Sequence, residues 1–219
     1  NDLTKSDKTQ KEIGDNFGII SYNEIYNCGT AINITSFSPY IHSNIIRNNG
    51  YGIYCFSLSG FSPHEISCNI DCVNNLIINN SKHGVVSKTV GYFPEGVINI
   101  SNCTIANNDS CGVVNEFSGI TIANSIVWGN FKSLEEINTG GTGYVYSCFQ
   151  DSVTTPWGSS ILVNPLFVDP ANSNFKLQNI SPCINTANPD TTGLRLPDTD
   201  VIGNARITNG RIDMGCYEY

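Results

Sequence analysis

A five-residue pattern, Asn-x-Ile-x-Asn, recurs along this chain, and its spacing constrains the fold more than any other feature. Asn23-Glu-Ile-Tyr-Asn27 returns as Asn44-Ile-Ile-Arg-Asn48 and as Asn75-Leu-Ile-Ile-Asn79. Cys103-Thr-Ile-Ala-Asn107 reads as a fourth copy with the first Asn replaced, and Asn124-Ser-Ile-Val-Trp128 as a fifth with the last Asn replaced. The central residues Ile25, Ile46, Ile77, Ile105 and Ile126 are separated by 21, 31, 28 and 21 residues. A second column follows the first four copies: Ala31-Ile32, Gly52-Ile53, Gly84-Val85 and Gly112-Val113. Each unit is therefore a short strand, a polar corner and a second short strand. Strands this short bury no core alone, whereas stacked coils bury a continuous one. The pattern predicts an all-β fold, a right-handed single-stranded parallel β-helix (a solenoid) with an irregular C-terminal cap. Leucine-rich repeats share the period but require a Leu skeleton, and propeller blades are about 40 residues long.

Side chains two apart on a strand share a face. If the central Ile points inward, the flanking Asn residues share its side or sit at the corners. Asn tolerates the left-handed conformation a corner demands, and stacked Asn side chains hydrogen-bond from layer to layer. The Asn columns are thus expected to be structural.

Composition agrees. Charged residues are 14% of the chain, against about a quarter in ordinary soluble proteins. The polar remainder is rich in Asn, Ser, Thr and Gly, which suit turns and not helix interiors. A net charge of -8 and only 11 scattered Lys and Arg residues argue against nucleic acid and anionic membranes as partners. No apolar run reaches the roughly 20 residues that span a bilayer. The chain begins at Asn1 and is read as a processed or excised piece of a longer protein.

Three regions are expected: a polar, loosely held lead (1–16), the β-helix coils (17–163) and a C-terminal capping segment (164–219) packed on the helix end. In that segment Leu166, Phe167, Val168, Phe175, Leu177, Ile184, Ile212 and Tyr217 are candidates to cover the open core, and Arg206 and Arg211 are expected to pair with Asp200 or Asp213. Two coils exceed the minimum length, with the surplus in Ser57–Val73 and Lys88–Val97. Insertions in solenoids emerge as surface loops, often on the binding face. Phe61, His64, Tyr92, Phe93 and Glu95 are therefore the candidate binding residues.

Signals for chemistry are sparse. No catalytic residue is assigned: His42, His64 and His83 occupy unrelated positions within their coils, and no nucleophile elbow is present. No coenzyme is expected; calcium is the one ion considered, on Asp190, Asp198 and Asp200, against the alternative of a solvated acidic loop with local Asx turns. Of nine cysteines, most suit small buried positions. Alternatively, one or two disulfides form in an exported protein, with Cys55 joining Cys68 or Cys72 as first choice and Cys183 joining Cys216 as second.

Several C-terminal motifs carry a resemblance. In order they are Asn164-Pro-Leu-Phe-Val-Asp169, Phe175-Lys-Leu177, Ser181-Pro-Cys-Ile-Asn185, Asp200-Val-Ile-Gly-Asn-Ala-Arg206 and Arg211-Ile-Asp-Met-Gly-Cys-Tyr-Glu218. Together with Asn124-Ser-Ile-Val-Trp-Gly-Asn130 they resemble the C-terminal part of secreted bacterial β-helix proteins of the choice-of-anchor Q type. Cys183 and Cys216 depart from it, standing where such proteins commonly have Ala. The resemblance implies an extracellular or cell-surface module and no established activity. The expected function is non-enzymatic: binding a surface protein or polysaccharide, or acting as a rigid spacer. The alternative is a carbohydrate-active enzyme, similar to polysaccharide lyases or glycoside hydrolases, which needs a cleft with two or more ionisable groups beside aromatics.

Overall fold

Left-handed corners divide each repeat into three strands, and stacking aligns those strands into three parallel sheets. A computed structural model describes residues 18–35, 37–59, 68–91, 96–137, 141–151, 159–208 and 210–219. The first coil holds β1 (Ile19–Ser21), β2 (Glu24–Ile25) and β3 (Thr30–Thr35). The second holds β4 (Tyr40–His42), β5 (Ile45–Arg47) and β6 (Tyr51–Ser59), and the third β7 (Asn69–Val73), β8 (Leu76–Ile78) and β9 (Val85–Gly91). Next come β10 (Val97–Ser101), β11 (Thr104–Ala106) and β12 (Cys111–Glu116). The fifth coil has β13 (Gly119–Ala123), β14 (Ile126–Trp128) and β15 (Lys132–Ile137), and β16 (Thr142–Val145) and β17 (Cys148–Phe149) begin a sixth. The first sheet is β1-β4-β7-β10-β13-β16, the second β2-β5-β8-β11-β14-β17 and the third β3-β6-β9-β12-β15. Every pairing within them is parallel, so the chain is a parallel β-helix.

Apolar columns from all three sheets fill the lumen. In the second sheet Ile25, Ile46, Ile77 and Ile105 stack in register, as the repeat predicts. The next residue in the column is Val127, not Ile126. The fifth copy is thus shifted by one residue: Ser125, not Asn124, stands opposite Cys103. Ile126 then faces outward, buried beneath the C-terminal segment. The first sheet contributes Ile20, Ile41, Cys72, Ile100, Ile122 and Tyr144. The third contributes Ile32, Ile53, Val85, Val113 and Leu134. Tyr144 and Phe149 end the first two columns, meeting edge to face with ring centroids 5.5 Å apart.

The corners explain the Asn columns. A left-handed residue opens each corner between the first two sheets: Tyr22, Ser43, Asn74, Asn102, Asn124 and Tyr146, with φ from 48° to 57°. The residue after it turns inward and forms a ladder. Backbone N–H groups donate to the side chain one coil on: Asn23 to Asn44 (3.0 Å), Asn44 to Asn75 (2.9 Å), Asn75 to the Cys103 sulfur (3.4 Å) and Cys103 to Ser125 (3.1 Å). Ser125 continues to Ser147, and Ser147 to Ser160. A second ladder lies after Asn27, Asn48, Asn79, Asn107 and Gly129, all left-handed. It runs Cys28, Asn49, Asn80, Asn108, Asn130. Each amide supplies an acceptor to a corner N–H that no strand partner reaches, so a buried donor is satisfied at every turn. Gly84 gives this ladder room, since a Cβ there would sit 2.6 Å from the Gly112 carbonyl oxygen and 3.0 Å from Asn108 Nδ2.

The C-terminal segment lies along the flank of the solenoid, where an end cap is expected from the sequence. The reason is the outward face of the second sheet: Leu76, Ile78, Ala106 and Ile126 are apolar and buried only because Phe167, Phe175, Leu177, Ile212, Met214 and Tyr217 cover them. An antiparallel pair, β18 (Phe167–Asp169) and β19 (Asn174–Leu177), sits at the corner of Asn79 and Asn107. The final stretch crosses to the other corner, where the Gly215 N–H donates to the Asn124 carbonyl and Asn74 Nδ2 to the Thr199 carbonyl.

Candidate functional site

The expected binding residues Phe61, His64, Tyr92, Phe93 and Glu95 lie outside the described residues. What the structure does show is that the two insertions return side by side, with the Val97 N–H donating to the Cys68 carbonyl at 3.1 Å.

A groove of about 500 Å³ opens elsewhere, between the first two coils and the C-terminal segment. Tyr40 and His42 flank the inward Ile41 on β4, so strand alternation turns both outward. Their rings stack at 4.4 Å, and Tyr22, 68% exposed on its left-handed corner, meets His42 edge to face at 5.3 Å. From the C-terminal segment Arg195 places its guanidinium 4.2 Å from the Tyr40 ring centroid and ion-pairs with Asp71 at 2.8 Å. Asp71 is the register partner of Tyr40 on the next coil. The Tyr40 hydroxyl donates to the Arg195 carbonyl, and Leu196, Asp198 and Thr199 complete the wall.

Electrostatics disfavour the charged forms of Tyr40 and His42. Burial pushes Tyr40 up to about 12, against the opposing pull of Arg195. Burial, and then Arg195, hold His42 below its usual value. The charged groups are Arg195, its partner Asp71, and Asp198. Apart from Asp198, a calcium candidate, none of these groove residues stands out in the sequence as a binding residue. The Tyr40-Ile41-His42 alternation was a usable signal, but Arg195 lies 124 residues from Asp71, and nothing local links them. A second hollow of about 420 Å³ lies at the opposite corner, walled by Trp128, Asn107, Asn164 and Gln178, with no ionisable lining residue among the described residues.

The calcium candidates are not brought together. Asp190 accepts the Thr192 N–H within its own turn, and hydrogen bonds from the Thr192 side chain and then its backbone lower its pKa. Asp198 lines the groove. Asp200 is buried, and its two oxygens accept from the N–H groups of Ile202, Asn204 and Glu218 and from Asn204 Nδ2. Among the described residues no group of three or more His, Cys, Asp or Glu side chains is placed to hold a metal ion.

The motif residues instead form a buried structural cluster. Arg206 pairs with Glu218 at 2.8 Å, both side chains 2% exposed, in place of the expected Asp200 or Asp213. Arg206 also donates to Asn74 Oδ1. Arg211 donates to the carbonyls of Ala187 and Thr186. Asp213 accepts from the N–H groups of Asn185 and Tyr219. Glu218 and Asp213 thus face one guanidinium, and the Glu218 N–H donates to the buried Asp200. Desolvation pushes Glu218 from 4.5 up to about 7, opposed by Arg206, and raises Asp213 likewise.

The folded chain therefore holds these protons more tightly than the unfolded chain. That contribution to stability is complete below the ordinary carboxyl range and is lost as pH rises through about 7. The thermal midpoint is expected to fall from about pH 5 to about pH 8, and Glu218→Gln to flatten the decline. Scanning calorimetry across that range checks it, and a midpoint that rises with pH would contradict it.

None of the nine cysteines is in a disulfide. Cys55 lies against Cys68, Cys72 against Cys103 at 3.9 Å, and Cys183 against Cys148; the Cys216 N–H donates instead to Thr104.

Among the described residues no helix is long and apolar enough to cross a membrane. Compared with known proteins, the chain matches no family model and no curated sequence.

Proposed function

We propose that this chain is a non-enzymatic β-helix module of the cell surface or extracellular space that binds saccharide in the groove of Tyr22, Tyr40, His42 and Arg195. The carrying observation is that groove. Flat rings and a guanidinium line a hollow of about 500 Å³, the surface that pyranose faces and hydroxyls recognise. Its charges, Arg195 against Asp71 and Asp198, leave no excess of positive charge, which favours uncharged sugars over uronates. The C-terminal motifs support the setting through their resemblance to the choice-of-anchor Q type.

The enzymatic alternative has ionisable groups in the same place, but they are engaged with one another. Arg195 is held by Asp71 and the Tyr40 hydroxyl by a carbonyl. His42 Nδ1 lies 3.3 Å from Ser43 Oγ.

The test is an oligosaccharide array followed by calorimetry on the retained sugars. Tyr22→Ala removes an exposed ring without disturbing the core. It is expected to weaken binding about ten-fold, about 1.4 kcal/mol, with an unchanged thermal midpoint. Retention of no sugar, or equal affinity in Tyr22→Ala, overturns the proposal. Release of reducing ends or unsaturated products from a retained polymer overturns its non-enzymatic part.

A further inference from the structure

Six of the nine cysteines meet in pairs, although no pair is adjacent in sequence. Cys72 on β7 points into the lumen, and Cys103 takes the place of Asn in the first ladder on the next coil. Their sulfurs are 3.9 Å apart, and both side chains are fully buried. Cys55, inward on β6, touches Cys68, where the first insertion returns to the stack. Cys148 on β17 touches Cys183 in the C-terminal segment, within the apolar layer between that segment and the second sheet. The remaining three cysteines have other partners. Cys28 donates to the Tyr26 carbonyl, Cys111 to Glu135, and Cys216 lies at Thr104.

Geometry suits covalent closure. In Cys72–Cys103 the sulfurs are already in contact at 3.9 Å, so closure calls for side-chain rotation, and each of the other two pairs lies within a single buried cluster. Each bond would also tie parts that sequence leaves far apart: an insertion to its coil, one coil to the next, and the flank segment to the end of the solenoid.

We propose that Cys55–Cys68, Cys72–Cys103 and Cys148–Cys183 are disulfide sites, closed when the chain folds in the presence of a low-molecular-weight disulfide such as glutathione disulfide. In each, one thiolate attacks a sulfur of the oxidant and expels a small thiolate, giving a mixed disulfide. The second cysteine loses its proton to the medium and attacks the protein sulfur of that intermediate, expelling a second small thiolate. Two protein thiols are oxidised to one disulfide, and one small disulfide is reduced to two small thiols. All six sulfurs belong to residues at most 1% exposed, so exchange takes place while the coils close and not on the finished fold.

The experiment refolds the reduced, denatured chain in a glutathione/glutathione-disulfide buffer, quenches with acid, denatures without reductant and labels thiols with a maleimide. The nine cysteines are expected to yield three labels by intact mass, and peptide mapping to find the three named linkages. Cys148→Ser treated identically is expected to yield four. Nine labels, fewer than three disulfides, or another connectivity such as Cys183–Cys216 overturns the proposal.

Discussion

Replacing Arg206 by Met is expected to lower the free energy of unfolding at pH 7 by about 3–5 kcal/mol, the cost of stranding a buried charge. Among the described residues Arg206 is the only buried cation, and it sits in a cluster that buries Asp200, Asp213 and the Glu218 side chain. Its guanidinium also donates to Asn74 on the third coil, so it joins the flank segment to the solenoid. Without it, Glu218 loses its ion pair, and the Asn74 side-chain oxygen loses a donor. Denaturant titration of both proteins measures the difference. Adding Glu218→Leu to Arg206→Met is expected to restore part of the loss, because Glu218 is then no longer stranded without its ion-pair partner. A cost under about 1 kcal/mol would mean that water reaches the cluster and screens it.

Ile77→Ala is expected to cost about 2–5 kcal/mol, the range for truncating a fully buried aliphatic side chain. Ile77 is fully buried, stacked between Ile46 and Ile105 in the second-sheet column. Register holds both neighbours in place through backbone hydrogen bonds, so the column is not free to collapse into the cavity. The same change at Ile25, half-buried in the first coil, is expected to cost less, since that site already meets solvent. Equal costs at the two positions would show that the lumen repacks freely, against the tight approach seen at Gly84.

Much of the architecture is legible in the repeat. The spacing of Ile25, Ile46, Ile77 and Ile105 identifies a stacked column, because parallel coils place equivalent side chains one above another. The misplacement of Ile126 shows the limit of matching letters. Asn serves two roles here, left-handed corner residue and inward ladder acceptor, and the two are adjacent in sequence. Asn124 is a corner residue, like Asn74 and Asn102, while Ser125 is the ladder residue. In sequence alone the two roles look alike, and only the hydrogen bonding separates them.

The groove shows a different limit. Tyr40 and His42 share an outward face by strand alternation, which is a local property. Their meeting with Arg195 depends on where the C-terminal segment lies, and that is set by the whole apolar face of the second sheet. Leu76, Ile78 and Ala106 look outward and need a cover, which draws the segment along the flank and carries Arg195 to Asp71. For the same reason Glu218, and not Asp200 or Asp213, is the ion-pair partner of Arg206, since it reaches Arg206 only once the end of that segment is docked.

By itself the sequence determined the coil: its period, its inward isoleucines, and corners that favour Asn and Gly, since all three follow from short-range backbone geometry and from the alternation of side chains. Only the tertiary structure decided where the C-terminal segment lies, which residues of the fifth repeat face inward, which cysteines meet and which side chains line the groove. Those outcomes depend on contacts between residues far apart in the chain, and they are chosen by the burial of a whole face, a quantity that no local stretch of sequence contains.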